Sequence, residues 1–171
     1  MQHLVRHARI PPTREVFYSP TTGTGAAVKG AHVGYTIDDQ AEYCNIEVLV
    51  PWDFKELVDL VLVVIPITTA FQAAMTVSLF CQFAKKNQVY TENNVVDAAT
   101  VPIQHSWLAI QDYIQEIDIS DMVSKTNIFA DRGLEAGDYL GVDAARDATN
   151  GDNTNAVILG VRMRYKVFKG K

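Results

Sequence analysis

The stretch VILGVRMRYKVF, residues 157–168, decides the fold class of this chain. Its odd-numbered residues are apolar, while Arg162, Arg164 and Lys166 occupy even-numbered positions. Side chains of a β-strand alternate between two faces, so this pattern predicts a long strand with one apolar face. The residues predicted to share that face are Val157, Leu159, Val161, Met163, Tyr165 and Val167.

Apolar stretches earlier in the chain show strand patterns as well. Residues 31–37 and 44–50 alternate in side-chain character, which predicts strands with a buried face. Residues 60–66 are rich in valine, leucine and isoleucine and end at a proline, which is typical of a central strand buried on both faces. An acidic pair with the spacing of a helix capping box precedes them, so we expect a short helical turn at 53–57.

Turn residues separate seven or eight strand candidates in this chain, and no long helix is indicated. The pattern predicts an all-β fold, an antiparallel β-sandwich or jelly roll. The first 24 residues differ, since they contain a Pro-Pro pair and show no lasting period. We therefore expect an extended N-terminal arm at residues 1–24 and a β-sandwich domain at residues 25–171.

The composition argues against two classes of partner. The 171 residues carry a net charge of −5, with 20 acidic and 15 basic side chains. Nucleic-acid-binding domains normally carry a basic surface, so we do not expect nucleic acid as a partner. The longest apolar run, residues 60–67, is far too short to span a bilayer, so we expect no membrane partner.

Two groups of basic side chains stand out against this acidic background. One lies in the arm, which is either a disordered tail or a segment that orders against a neighbouring subunit. The other is the cationic row at residues 162–166, which either protects a sheet edge or pairs with acidic groups of a neighbouring copy. The candidate interface residues are Arg6, Arg9, Arg14, Arg162, Arg164 and Lys166.

Aromatic side chains and an oxygen-rich loop are candidates for a ligand site. Trp107, Tyr113 and Tyr139 are candidates for stacking on a sugar, although aromatic side chains near loops also pack beneath them. Asp147 and Asp152 are candidates for binding calcium, since their loop is rich in Asp and Asn. The loop lacks EF-hand spacing, and a solvated hairpin connection explains the same composition.

No catalytic constellation is visible in the sequence. The four histidines show no metal-ligand spacing, and no Ser-His-Asp or Cys-His set can be identified. Glu116 and Asp118 share one strand face, and ordinary alternation on a solvent or interface face explains them without a glycosidase mechanism. We therefore predict a protein that is not an enzyme and that has no cofactor.

Several motifs, in their order and spacing, resemble an uncharacterised group of β-sandwich proteins from tailed-phage and environmental viral genomes. The motifs are VPWDF (50–54), LVLVVIP (60–66), IQEIDIS (114–120), GLEAGDYLGV (133–142), DNTNA (152–156) and VILGVRMRY (157–165). The Gly-Asp turn that leads into a strand is also similar, at the level of fold, to the trimeric jelly rolls of the tumour necrosis factor and complement type.

The first resemblance implies a structural protein of the virion. We expect a capsid decoration (cement) protein, or another capsid-associated protein, that docks through its arm. The implied partners are copies of itself and other virion proteins, and the second resemblance implies a trimer. A tail or filament subunit and a carbohydrate-binding module are the alternatives.

Overall fold

The fold is described from a computed structural model. It describes residues 12–37, 42–67, 76–91, 93–102, 113–124, 132–146 and 155–168. Within these ranges the one helical element is a 3-10 helix at Ser120–Val123. No helix in the described ranges is long and apolar enough to cross a membrane.

Eleven β-strands account for most of the described residues. They are β1 (Thr13–Tyr18), β2 (Thr22–Gly23), β3 (Ala26–Lys29), β4 (His32–Ile37), β5 (Tyr43–Leu49), β6 (Phe54–Pro66), β7 (Thr76–Ala84), β8 (Asn93–Pro102), β9 (Gln115–Asp118), β10 (Tyr139–Arg146) and β11 (Ala156–Val167).

The strands form two antiparallel sheets that pack against each other. The six-stranded sheet has the order β3-β4-β11-β6-β9, and β1 pairs with the part of β11 that β4 does not reach. The five-stranded sheet has the order β2-β5-β10-β7-β8. The predicted antiparallel β-sandwich is confirmed.

The main core lies between the two sheets and consists of their inward-facing side chains. In β5, for example, Cys44, Ile46 and Val48 are buried, whereas Tyr43 and Glu47 are exposed. This alternation follows from strand geometry. The core includes Ile37, Ile46, Leu60, Leu62, Leu79, Phe83, Ile119, Leu140, Ile158 and Met163.

The prediction that residues 60–66 are buried on both faces is confirmed, since every one of them is buried. The even-numbered residues from 60 to 64 belong to the main core. The odd-numbered residues from 61 to 65 belong to a second apolar cluster on the opposite face of the six-stranded sheet. β6 is therefore the central strand that its composition indicates.

Strand β11 changes face at a bulge, so one part of its predicted alternation is wrong. The pairing of β11 with β6 skips Leu159, which is an extra residue in the strand. The odd-numbered residues from 161 to 167 face the main core as predicted. Val157 and Leu159 were predicted to share that face, but they lie in the second cluster on the other side of the sheet.

The prediction of a helical turn at 53–57 is also wrong, because this segment is part of β6, which begins at Phe54. Its pairing with β11 skips Lys55 and Val58, so two bulges interrupt this part of the strand. Each bulge delays the return of a side chain to the core by one residue. Phe54 and Leu57 therefore both pack on the core at a spacing of three, which imitates a helix.

The structure has more strands than the seven or eight predicted, because three short strands occur between residues 13 and 29. Two of them fall in the segment predicted as an arm. In this segment β1 pairs with β11 and β2 pairs with β5, so each sheet gains a strand from it. Residues 1–11 lie outside the described residues.

Both cysteines are buried thiols that form no disulfide bond. Cys44 lies on β5 and Cys81 on β7, and β10 separates the two strands. Two strand spacings amount to about 9.5 Å, which is too far for a disulfide bond. Burial raises the pKa of the Cys44 thiol to about 12, so this thiol stays protonated at neutral pH.

Candidate functional site

A groove crosses the outer face of the five-stranded sheet, on the side away from the core. Its larger part has a volume of about 690 Å³, and a second part has a volume of about 370 Å³. Both parts are lined by Glu47, Gln82 and Gly141, so they form one continuous depression. We call this depression the Gly141 groove.

Gly141 lies at the centre of the groove, on the middle strand of the sheet. Its cross-strand neighbours are Glu47 on β5 and Gln82 on β7. A Cβ atom placed on Gly141 would meet only the carbonyl oxygen of Gln82, at 4.0 Å. Gly141 does not adopt a positive φ, so neither crowding nor backbone conformation requires glycine here. Glycine weakens the interior of a strand and often marks a place where a ligand approaches the backbone.

Exposed aromatic side chains form one end of the groove. Tyr139 lies two residues before Gly141 on the same face of β10, and 60% of its surface is exposed. Tyr90 comes from the connection between β7 and β8 and is 74% exposed. Leu49, the cross-strand partner of Tyr139, adds an exposed aliphatic side chain. This end can therefore hold the apolar face of a ligand, while the tyrosine hydroxyls can form hydrogen bonds.

A buried ion pair fixes the chain just before Tyr139. The fully buried carboxylate of Asp138 accepts two hydrogen bonds of 2.7 Å from the Arg132 guanidinium. It accepts a third, also of 2.7 Å, from the backbone N–H of Glu135. The Glu135 side chain pairs with Lys85 in the groove wall, and this hydrogen bond lowers the pKa of the Glu135 carboxyl. Bidentate charged pairs of this kind hold a fixed geometry, so they position the aromatic end.

Polar side chains line the centre and the other end of the groove. Asp143 lies two residues after Gly141 and is half-buried, and this burial raises the pKa of its carboxyl. Among the described residues, no hydrogen bond or ion pair reaches the side chains of Glu47, Gln82 or Asp143. These groups are therefore available to a ligand. The other residues that line this end are Thr21, Thr22, Asn45, Ile46, Phe80 and Val142.

The groove thus places apolar rings and hydrogen-bonding groups along one strand. From Tyr139 to Asp143, the extended backbone spans about 13 Å. An elongated ligand can stack on the tyrosines at one end and form hydrogen bonds at the other. At the tyrosine end, the Tyr18 hydroxyl donates a hydrogen bond of 2.7 Å to the Leu49 carbonyl oxygen and so joins β1 to the groove wall.

The predicted stacking residues do not lie together. Tyr139 lines the groove. Tyr113 is equally exposed, at 60%, but it precedes β9 at the edge of the six-stranded sheet and does not line the groove. Trp107 lies outside the described residues.

The cationic row of β11 faces away from the main core and is paired within the chain. β11 lies between β6 on one side and β4 and β1 on the other, so it is not an edge strand and the edge-protection explanation is wrong. The pairs are Arg162 with Glu15, Asp59 and Glu116, Arg164 with Asp59, and Lys166 with Glu56. The predicted pairing of this row with a neighbouring copy stays a prediction.

Of the other predicted site residues, Arg14 is described by the structure, and it does not line the groove. Arg14 forms an ion pair of 2.5 Å with Asp53. Those outside the described residues are Arg6, Arg9, Asp147 and Asp152. In the ranges that the structure covers, no group of three or more His, Cys, Asp or Glu side chains is placed to hold a metal ion.

The sequence does not predict the residues at the centre of the groove as site residues. Alternation places Glu47, Gln82 and Gly141 on one face of their strands, but it does not show which strands are neighbours. One signal was available. Gly141 lies between Leu140 and Val142 in the strand that follows the Gly-Asp turn, where glycine is unfavourable unless something approaches the backbone closely.

No family model matches this chain, and no curated protein matches it. Among solved structures, the chain is similar to a carbohydrate-binding module specific for non-crystalline cellulose, CBM28. The identity is 12%, the match covers 83% of this chain and 78% of that chain, and the TM-score is 0.35. A likeness this distant carries no argument about function, so the functional conclusion rests on the groove.

Proposed function

We propose that this protein is a non-catalytic carbohydrate-binding domain that holds a glycan chain in the Gly141 groove. The observation that carries the proposal is the open space above Gly141, between the side chains of Glu47 and Gln82, which have no hydrogen-bond partner among the described residues. A residue with a side chain would strengthen the strand at this position. A ligand that lies on the backbone explains why none is present.

The chemistry of the lining supports a glycan in particular. A sugar ring presents C–H groups on its faces and hydroxyl groups at its edges. Tyr139 and Tyr90 offer exposed rings to the faces. The carboxylates and the amide at the centre of the groove offer acceptors and donors to the hydroxyls. Because the groove runs along β10, it suits a chain better than a compact molecule.

Affinity electrophoresis in gels that contain soluble polysaccharides tests this proposal. We expect at least one neutral polysaccharide to retard the wild-type protein. Tyr139→Ala should weaken that binding by about threefold to tenfold, which is the value of one aromatic contact. Tyr113→Ala is the matched control, since Tyr113 is equally exposed but lies outside the groove.

Three results would contradict the proposal or a part of it. If no polysaccharide retards the wild-type protein, the protein does not bind glycans. If Tyr113→Ala loses binding and Tyr139→Ala keeps it, the glycan site lies elsewhere. Release of reducing sugar from a bound polysaccharide would contradict the non-catalytic part.

A self-associating structural protein of a virion is the second candidate. It is supported by Val28 and Val33, an exposed cross-strand pair in the β3–β4 hairpin at the edge of the six-stranded sheet. Apolar side chains exposed at a sheet edge favour contact between copies. Sedimentation of the wild-type protein should then show an oligomer that Val33→Lys dissociates. A wild-type monomer at every concentration would contradict this candidate.

A further inference from the structure

Negatively charged side chains outnumber positively charged ones among the described residues that line the Gly141 groove. Glu47 and Asp143 point two carboxylates into the groove, from diagonal positions on adjacent strands. Side chains in such positions lie within reach of one ligand group, since their Cα atoms are about 7–8 Å apart. Neither carboxylate has a hydrogen bond or an ion pair among the described residues.

The groove offers little positive charge in return. Of the described residues that line it, Lys85 is the one that carries a positive charge, and its amine is already paired with Glu135. A ligand in the groove therefore meets uncompensated negative charge near Gly141. These negative charges repel a polyanion. They attract a cation, and this attraction is stronger where the site is partly removed from water.

We propose that the Gly141 groove selects glycans that carry protonated amino groups, as in a polymer of glucosamine. This inference rests on the proposed function and names its substrate class. Tyr139 and Tyr90 hold the sugar rings, while an ammonium group lies between the carboxylates of Glu47 and Asp143. Its N–H groups donate charge-assisted hydrogen bonds to both carboxylates, which have no other partner in the part of the chain that the structure describes.

The half-burial of Asp143 agrees with this role. Loss of water around the carboxyl raises its pKa, so the charged form is disfavoured in the free protein. A cation in the groove compensates the charge and stabilises the ionised form. A neutral sugar hydroxyl compensates it less.

Calorimetric titration with two oligosaccharides of equal length tests the selection. One is a glucosamine oligomer and the other is its N-acetylated counterpart, which differs only in the charge and bulk of the amino substituent. At mildly acidic pH, with a chelator present to remove bound metal, the wild-type protein should bind the glucosamine oligomer about tenfold more tightly. Added salt should reduce this preference.

Isosteric variants assign the preference to the two carboxylates. Asp143→Asn and Glu47→Gln should each lose most of the preference, because their affinity for the glucosamine oligomer should fall much further than their affinity for the N-acetylated oligomer. Glu56→Gln is the matched control: it removes the same charge from an exposed pair on the other sheet, and it should bind as the wild type does. A melting curve for each variant shows that it is folded.

The possible failures are distinguishable. Equal affinity for the two oligomers, or tighter binding of a polyuronate, overturns the inference and leaves the proposed function in place. Binding of a neutral glucan but of neither hexosamine oligomer does the same. Binding of no glycan at all overturns both the inference and the proposed function.

Discussion

Three residues of the groove show how local chemistry and folding stability oppose each other. Gly141 leaves a central strand without a side chain at its position, and the carboxylates of Glu47 and Asp143 have no partner within the described ranges. None of these choices favours the folded chain. Residues that break local folding rules without a structural reason are typical of functional sites.

Asp143 gives a prediction about pH. Burial raises the pKa of its carboxyl in the folded state above the ordinary value, so the folded protein holds this proton where the unfolded chain has released it. The stability linked to this group is therefore fully present below the unfolded pKa and is lost as pH rises through the folded pKa. Asp143→Asn should be more stable than the wild type at neutral pH, and the difference should vanish in acid. Melting temperatures measured across this pH range check the prediction, and a variant that is less stable at neutral pH would contradict it.

The Arg132–Asp138 pair gives a second prediction at this scale. Arg132→Ala leaves a fully buried carboxylate without its cation, so we expect a loss of about 3 kcal/mol in the free energy of unfolding. Lys85→Ala is the control, because it removes an exposed pair that is worth less than about 1 kcal/mol. Urea denaturation measures both changes. Equal losses in the two variants would show that burial of Asp138 is not the cause.

At the scale of single elements, bulges decide which side chains reach the core. Leu159 and Gly160 form the site where β11 changes face, and Phe17 and Tyr18 of β1 pass directly over it. Gly160 has φ +149, and a Cβ atom there would lie 2.2 Å from the Tyr18 carbonyl oxygen. The register of β1 against β11 therefore depends on a glycine at this position.

Gly160→Ala should destabilise the fold by about 2 kcal/mol or more, since backbone strain and a clash with backbone act together. Gly30→Ala is a matched control. Gly30 also has a positive φ, of 63°, but a Cβ atom there meets nothing within 4 Å. Its loss should stay near 1 kcal/mol, from conformation alone. If chemical denaturation shows the same loss for both variants, the close approach of Tyr18 does not matter.

The same elements show what the sequence could predict. Alternation in residues 44–50 and the apolar run at 60–66 predict strands and burial correctly, because each pattern is local. A bulge adds one residue to a strand but does not change the type of side chain around it. Because the residues around Leu159 are all apolar, the sequence pattern does not reveal that the strand changes face there. At Phe54 the bulges produce helical spacing, and the pattern therefore favoured the wrong element.

At the scale of the whole molecule, the groove depends on contacts between distant parts of the chain. Gly141 lies beside Glu47 and Gln82 only because β10 pairs with both β5 and β7. Periodicity shows which face a side chain takes, but it does not give the order of strands in a sheet. The sequence offers Tyr139 as a stacking candidate from its aromatic type, and that role stays a prediction, whereas the polar centre of the groove could not be predicted.

The assembled sandwich separates stability from binding. The main core lies between the inner faces of the two sheets. The ion pairs of β11 lie on the outer face of the six-stranded sheet. The groove lies on the outer face of the five-stranded sheet. Changes to Glu47, Gly141 or Asp143 should therefore alter binding without loss of the fold, since none of these residues belongs to the main core.

The most direct measurement is the affinity and the melting temperature of Gly141→Val, compared with the wild type and with Ala145→Val. The valine side chain should fill the groove, lower glycan affinity by at least about tenfold and leave the melting temperature unchanged or raised, because valine favours strands. Ala145→Val makes a similar change on the same face of β10 outside the groove and should bind as the wild type does. Unchanged glycan affinity in a folded Gly141→Val protein would contradict the central claim that the ligand lies over Gly141.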